Sequence, residues 1–154
     1  MRPNPWTRTP GSPQACGGRH QSPRSRSDFD AFVQLNEPYY LKYARTRLAA
    51  EELGAEAVAW TLGYLEAEWT AILGCSQPMA TCWSVLRGAV SRRSAPGRLP
   101  GNWLHTVLPD DAADAVLLKH RLGVELPVAA RLMGVGTGVV EVQLRAALRI
   151  LARA

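Results

Sequence analysis

Residues 127–151, PVAARLMGVGTGVVEVQLRAALRIL, decide how this chain is read. A short apolar segment over residues 127–133 ends at Gly134. A longer one with helical period runs over residues 137–153, with Val140, Leu144, Ala147, Leu148 and Leu151 on its expected inner side. Glycine tolerates the positive φ needed to end one helix and re-aim the next, so Gly134 marks a tight turn between two helices. Ala130 is small where the two helices must cross, and Val135, Val140 and Leu144 are placed to pin the second helix to the first. The expected outward positions are Gly136, Thr137, Glu141, Gln143, Arg145 and Arg149. A short helix, a tight turn and a longer helix is the geometry that places the start of the second helix in the DNA major groove. The glycines from Gly134 to Gly138 superficially resemble a phosphate loop, but no strand precedes them and no lysine follows.

Upstream the period stays helical. Phe29, Phe32 and Leu35 mark a short amphipathic segment; Pro38 then stands where a new helix would open, with Leu41, Ala44 and Leu48 along it. Val58, Leu62, Leu65, Trp69 and Leu73 form an apolar stripe. Pro78 opens a further helix that turns Cys82, Trp83, Leu86 and Val90 inward. The Pro- and Gly-rich run SAPGRLPG at residues 94–101 reads as a linker. Beyond it, Asp110 and Asp111 suit a helix N-terminus and Gly123 a helix stop. Strand signals are nearly absent. The expected fold is all-α: a disordered basic tail (1–27), a three-helix bundle (28–93), a linker (94–107) and a helix-turn-helix domain (108–154).

The net charge of +5 misleads until it is divided along the chain. Residues 1–27 hold Arg2, Arg8, Arg19, Arg24 and Arg26 with no acid, and from Asp28 onward thirteen basic residues face thirteen acids. The tail, rich in Pro, Gly, Ser and Arg, cannot bury enough surface to offset its ordering entropy. It reads either as a phosphate-touching arm or as a passive extension. Residues 128–154 have their own basic bias, Arg131, Arg145, Arg149 and Arg153 against Glu141 alone. Cys16, Cys75 and Cys82 show no paired spacing, which argues against a disulfide framework and suits a reducing cytoplasm. No stretch of 18 or more apolar residues occurs, so no membrane span is expected, and no signal-peptide core is visible. His20, His105 and His120 are scattered, no metal set or cofactor motif is legible, and no nucleophile stands at readable spacing from a base. An enzyme acting on a small-molecule substrate is therefore not expected.

In this order and spacing, the residues resemble a worn sigma factor of the extracytoplasmic-function class. Leu108-Pro109, Leu132, Gly134, Val135, Gly138, Val140, Leu144 and Ala147 fall in register with that family's region 4. FDAFVQLNEPYYLKYARTRL resembles the start of region 2, and Pro78, Ala80, Trp83 and Leu86 resemble its P-x-A-W-L helix. The resemblance spans residues 28–153. It implies a non-enzymatic factor, cytoplasmic and nucleoid-associated, that binds core RNA polymerase and directs it to promoter DNA, with an anti-sigma factor as a further possible partner. It places the polymerase contact on Leu62, Leu65, Glu66 and Trp69. Contacts to the −10 element or backbone fall on Arg87, Arg92 and Arg93, and −35 contacts on Thr137, Glu141, Gln143, Arg145 and Arg149.

Some positions depart from the family pattern. Its acidic D-x-x-Q signature is not legible around residues 58–69. Glu141 and Gln143 stand where the family carries cations, and Ala146 likewise replaces a basic residue. A carboxylate facing phosphate exchanges attraction for repulsion, although it can accept a hydrogen bond from cytosine N4 in the major groove. Two further readings thus stay open: a sigma-derived DNA-binding regulator without polymerase engagement, and a protein-interaction module.

Overall fold

The computed structural model describes residues 23–94 and 103–153, with side chains from residue 26 onward, and every regular element among them is helical. The expectations for residues 1–22 and for 95–102 of the linker lie outside the described residues. Helix α1 spans Pro23–Leu48. It begins inside the stretch read as tail, and it passes straight through Pro38, where a new helix was expected. Proline removes one ladder hydrogen bond and crowds the carbonyl four residues back. Here both Pro38 and Gln34 lie on the solvent side, so the freed carbonyl faces water. Phe29, Phe32, Tyr40, Tyr43 and Leu48 are buried on the opposite face, on both sides of the proline. That shared apolar face holds one axis where local propensity favours two.

Helix α2, Glu51–Ala67, packs along α1 and carries Ala57, Val58, Thr61 and Leu65 into the core. The stripe that reads as one segment through Leu73 is divided at Glu68; a short α3, Trp69–Leu73, follows. Leu73 faces outward as a result. Helix α4, Pro78–Arg93, completes the N-terminal bundle, with Cys82, Trp83, Leu86 and Val90 buried as their spacing predicts. Cys82 is free, and burial pushes its thiol up to about 12, leaving it unreactive at neutral pH.

The C-terminal half starts earlier than the linker reading allowed. A one-turn α5, Leu104–Val107, buries Leu104. Helix α6, Asp110–Val116, continues into a π-helical turn, Leu117–Arg121. That turn closes with the Leu122 N–H donating to the Leu117 carbonyl at 2.9 Å. Gly123, at φ 66°, then lets the Val124 N–H reach the Leu118 carbonyl at 2.8 Å. Helices α7, Leu126–Met133, and α8, Thr137–Ala152, close the chain. Helix α8 packs on α6 and α7, and α7 packs on α4. One apolar core thus runs through both halves, from Phe29 to Ala147. Among the described residues, no helix is long and apolar enough to cross a membrane.

Candidate nucleic-acid interface

The turn between α7 and α8 is held from two sides. Gly134 adopts φ 71° and ψ 32°, a left-handed conformation that costs other residues roughly 1–2 kcal/mol. Its N–H donates to the Arg131 carbonyl at 3.1 Å, and the Val135 N–H donates to the Ala130 carbonyl at 3.0 Å. The turn also lies against the first turn of α4: a Cβ on Gly134 would stand 2.5 Å from Ala80 Cα and 2.7 Å from the Met79 carbonyl carbon. Backbone approach this close fixes where α8 starts relative to the N-terminal bundle. Arg131 adds a second tether to α1, its guanidinium carbon 5.9 Å from the Tyr39 ring centre in a cation–π contact.

Helix α8 buries Val140 and Ala147, half-buries Gln143, Leu144, Ala146 and Leu151, and presents the rest. Thr137, Glu141, Arg145 and Arg149 step at four-residue intervals and are all exposed, with Arg153 continuing the row. Gln143 lies toward the inner flank and is half-buried. Leu148, expected inward, is instead 60% exposed, because the core side of the helix is centred on Val140 and Ala147. Val139, Val142 and Ile150 are exposed as well. The outer surface of α8 is therefore mixed, with a row of arginines between apolar side chains.

The other expected contacts divide. Leu62 is half-buried and Glu66 exposed, and both line a hollow of about 600 Å³ between α1 and α2. Leu65 and Trp69 belong to the core; the Trp69 ring stands 5.2 Å from Phe29 and 5.1 Å from Phe32. Of the four residues, only Leu62 and Glu66 thus reach the surface, both on α2. Arg92 is exposed, its guanidinium 5.8 Å above the Trp60 ring, which stacks in turn on Tyr64. Arg93 pairs with Glu56 at 3.6 Å and donates to the Ala89 carbonyl. Arg87 is committed inside the molecule.

Its partner is Asp114, fully buried on α6. One Asp114 oxygen accepts from the Tyr43 hydroxyl and pairs with His105 Nε2, each at 2.6 Å. The other accepts from Trp83 Nε1 at 2.9 Å and from Arg87 Nε at 2.8 Å, with Arg87 Nη2 in ion-pair contact at 2.7 Å. Arg87 also bridges to Asp111 at 2.9 Å, and Arg47 donates to the Tyr43 hydroxyl at 3.2 Å. Side chains of α1, α4, α5 and α6 therefore converge on one carboxylate. Burial alone raises a carboxyl pKa, yet the His105 hydrogen bond, the Arg87 charge and the Tyr43 hydroxyl outweigh it and hold Asp114 below its ordinary value of 3.8. Burial and the Asp114 charge push Tyr43 well up, so its hydroxyl stays a donor.

A depressed native pKa stabilises the fold above the unfolded-state value, and that stabilisation is lost as pH falls through the native one. The Asp114 contribution is thus expected to be constant near neutrality and to disappear below the usual carboxylate range. Urea unfolding of the wild type and of Asp114→Asn as a function of pH checks this: the difference between them should shrink only in strong acid.

An Asp–His pair also invites a catalytic reading. The His105 side chain is only 3% exposed, however, and its Nδ1 meets no hydrogen-bond partner, so no substrate-facing nitrogen is offered. The cluster serves as a clamp between the halves.

The chain matches no protein-family model, no curated protein and no solved structure. Its function must be argued from its own surfaces. Sequence reasoning took His105 as bland and gave Asp114 no role. The available signal was Asp114 itself, a lone acid within the apolar run Ala112–Val116, since a charge placed on a buried face is retained only when paired.

Proposed function

We propose that this protein is a DNA-binding transcription factor that reads promoter DNA with α8, in the manner its resemblance to sigma region 4 implies. The observation that carries the reading is the exposed row Thr137, Glu141, Arg145 and Arg149, on a helix whose start is fixed by the left-handed Gly134 turn. A helix held rigidly at its N-terminus and bearing outward cations can enter a major groove and neutralise phosphates. Affinity comes from Arg145 and Arg149, and base discrimination from Thr137 and Glu141 near the helix start, while Gln143 on the inner flank stands away from that face. In the sigma-factor form of this reading, core RNA polymerase docks on α2 around Leu62 and Glu66, while Arg92 and Arg93 approach the DNA backbone.

A second reading is favoured by one observation. Arg87 is held by Asp114 and Asp111, and a single core joins the two halves. Two modules that read separate promoter elements need freedom that a shared core withholds. This favours a sigma-derived regulator that binds DNA without polymerase.

Fluorescence anisotropy with duplex DNA, titrated at several salt concentrations, tests DNA binding. Arg145→Ala and Arg149→Ala should each weaken binding and lower the slope of log affinity against log salt by about one. Affinity and slope unchanged in both variants would refute the reading. Co-purification with the host's core RNA polymerase separates the two forms: stoichiometric capture supports the sigma factor, and clean failure of a folded preparation leaves the regulator.

A further inference from the structure

Two surfaces of this chain complement each other. The hollow between α1 and α2 is of mixed character: Phe29, Val33 and Leu62 line it together with Asp30, Gln34 and Glu66. At Gly63 it is open: apart from the adjoining residues and the helix's own backbone, nothing lies within 4 Å of the position a Cβ would take. The outer face of α8 has the opposite character. Arg145, Arg149 and Arg153 run along it, and none has an ion-pair partner among the described residues. Beside them lie Val139, Val142, Leu148 and Ile150, four of the large apolar side chains exposed on the described surface. A row of cations between apolar side chains suits a hollow that mixes carboxylates with apolar side chains, since opposite charges steer and register the two surfaces.

We propose that a second copy of this chain docks its α8 into the α1–α2 groove of the first. The contact is heterologous, because groove and helix are different surfaces of each copy. Association therefore extends head to tail, and each contact covers one DNA-reading helix and one α2 surface. Its regulatory meaning rests on the DNA-binding reading above, whereas the contact itself does not. Self-association and DNA compete for α8, so free DNA draws the assembly apart and a high protein concentration withdraws the protein from DNA.

Sedimentation velocity of the full chain over a concentration series, at low and high salt, reads the association directly. The expected result is a mass that grows with concentration up to the order of 100 μM and falls toward monomer as salt screens the contact. Asp30→Lys and Gly63→Leu disable the groove by charge and by filling, and Arg149→Glu disables the helix. All three positions are exposed, and circular dichroism should show an unchanged helical fold. Each variant alone should associate at least about tenfold more weakly. An equimolar mixture of Gly63→Leu with Arg149→Glu should form a one-to-one complex and nothing larger, because one intact groove meets one intact helix.

A wild type that stays monomeric throughout the series overturns the proposal. So do folded variants that associate like the wild type, or a mixture that stays monomeric. Duplex DNA added to the wild-type assembly should dissociate it. If the assembly forms and obeys the mixing rule, but neither wild type nor Gly63→Leu binds DNA, the DNA reading alone fails.

Discussion

Asp114→Ala is expected to destabilise the protein by roughly 3–5 kcal/mol, the range for removing one partner of a buried ion pair. The carboxylate has no exposed surface and answers donors from Tyr43, Trp83, Arg87 and His105. Its removal leaves the Trp83 N–H and the Tyr43 hydroxyl inside the protein with no acceptor, and a buried donor left unmade costs about 1–3 kcal/mol. Arg87 keeps only the more exposed Asp111. These costs overlap and do not add, since all four donors share one acceptor. In a chain of this size the midpoint should fall by roughly 10–20 °C.

Asp111→Ala is the matched control, because its carboxylate is largely solvated and a surface pair contributes about 1 kcal/mol or less. Thermal and urea unfolding followed by circular dichroism decide the matter. A loss below about 1 kcal/mol in Asp114→Ala would show that the four donors do not converge on it in solution. The wild type should also unfold in one transition, because the core that Asp114 bridges is shared by both halves.

Gly134→Ala should cost about 3 kcal/mol or more, from two separable causes. The left-handed backbone accounts for the first 1–2 kcal/mol. The remainder comes from the new methyl group, which would overlap the backbone at Met79 and Ala80 and force α7 away from α4. Gly123 isolates the two causes, for it has a similar φ of 66° and open space where its Cβ would go. Gly123→Ala should therefore show the conformational cost alone. The difference between the two substitutions measures how tightly the turn before α8 rests on the N-terminal bundle. Equal effects in urea unfolding would mean that this approach is loose. A larger effect at Gly134 should be accompanied by weaker DNA binding, because the start of α8 would lose its fixed position.

What could be read from the residues alone was local. Val140 and Ala147 inward, Arg145 and Arg149 outward, a left-handed Gly134 and a helix stop at Gly123 follow from helical period and glycine conformation, which act within a few residues of chain. The same logic placed Cys82, Trp83, Leu86 and Val90 in the core. It misplaced Leu148 by assigning too wide an inner face to α8, and it broke α1 at Pro38 because a local penalty was visible while the packing that overrides it was not. The stripe through Leu65 and Trp69 announced burial, but whether it would meet the core or a partner depended on where α1 lay.

Arg87 illustrates the limit most clearly. As a sequence position it is a cation near a helix end, suited to phosphate; in the fold it serves a carboxylate 27 residues away. Tyr43 reaches that same carboxylate across 71 residues. Period and propensity determine which face of a helix is apolar, because those preferences are set by each residue and its near neighbours. Which charge meets which, and whether two helical halves stand apart or share one core, is decided only when the whole chain has chosen its packing, because a buried charge takes whatever partner the assembled core brings within reach.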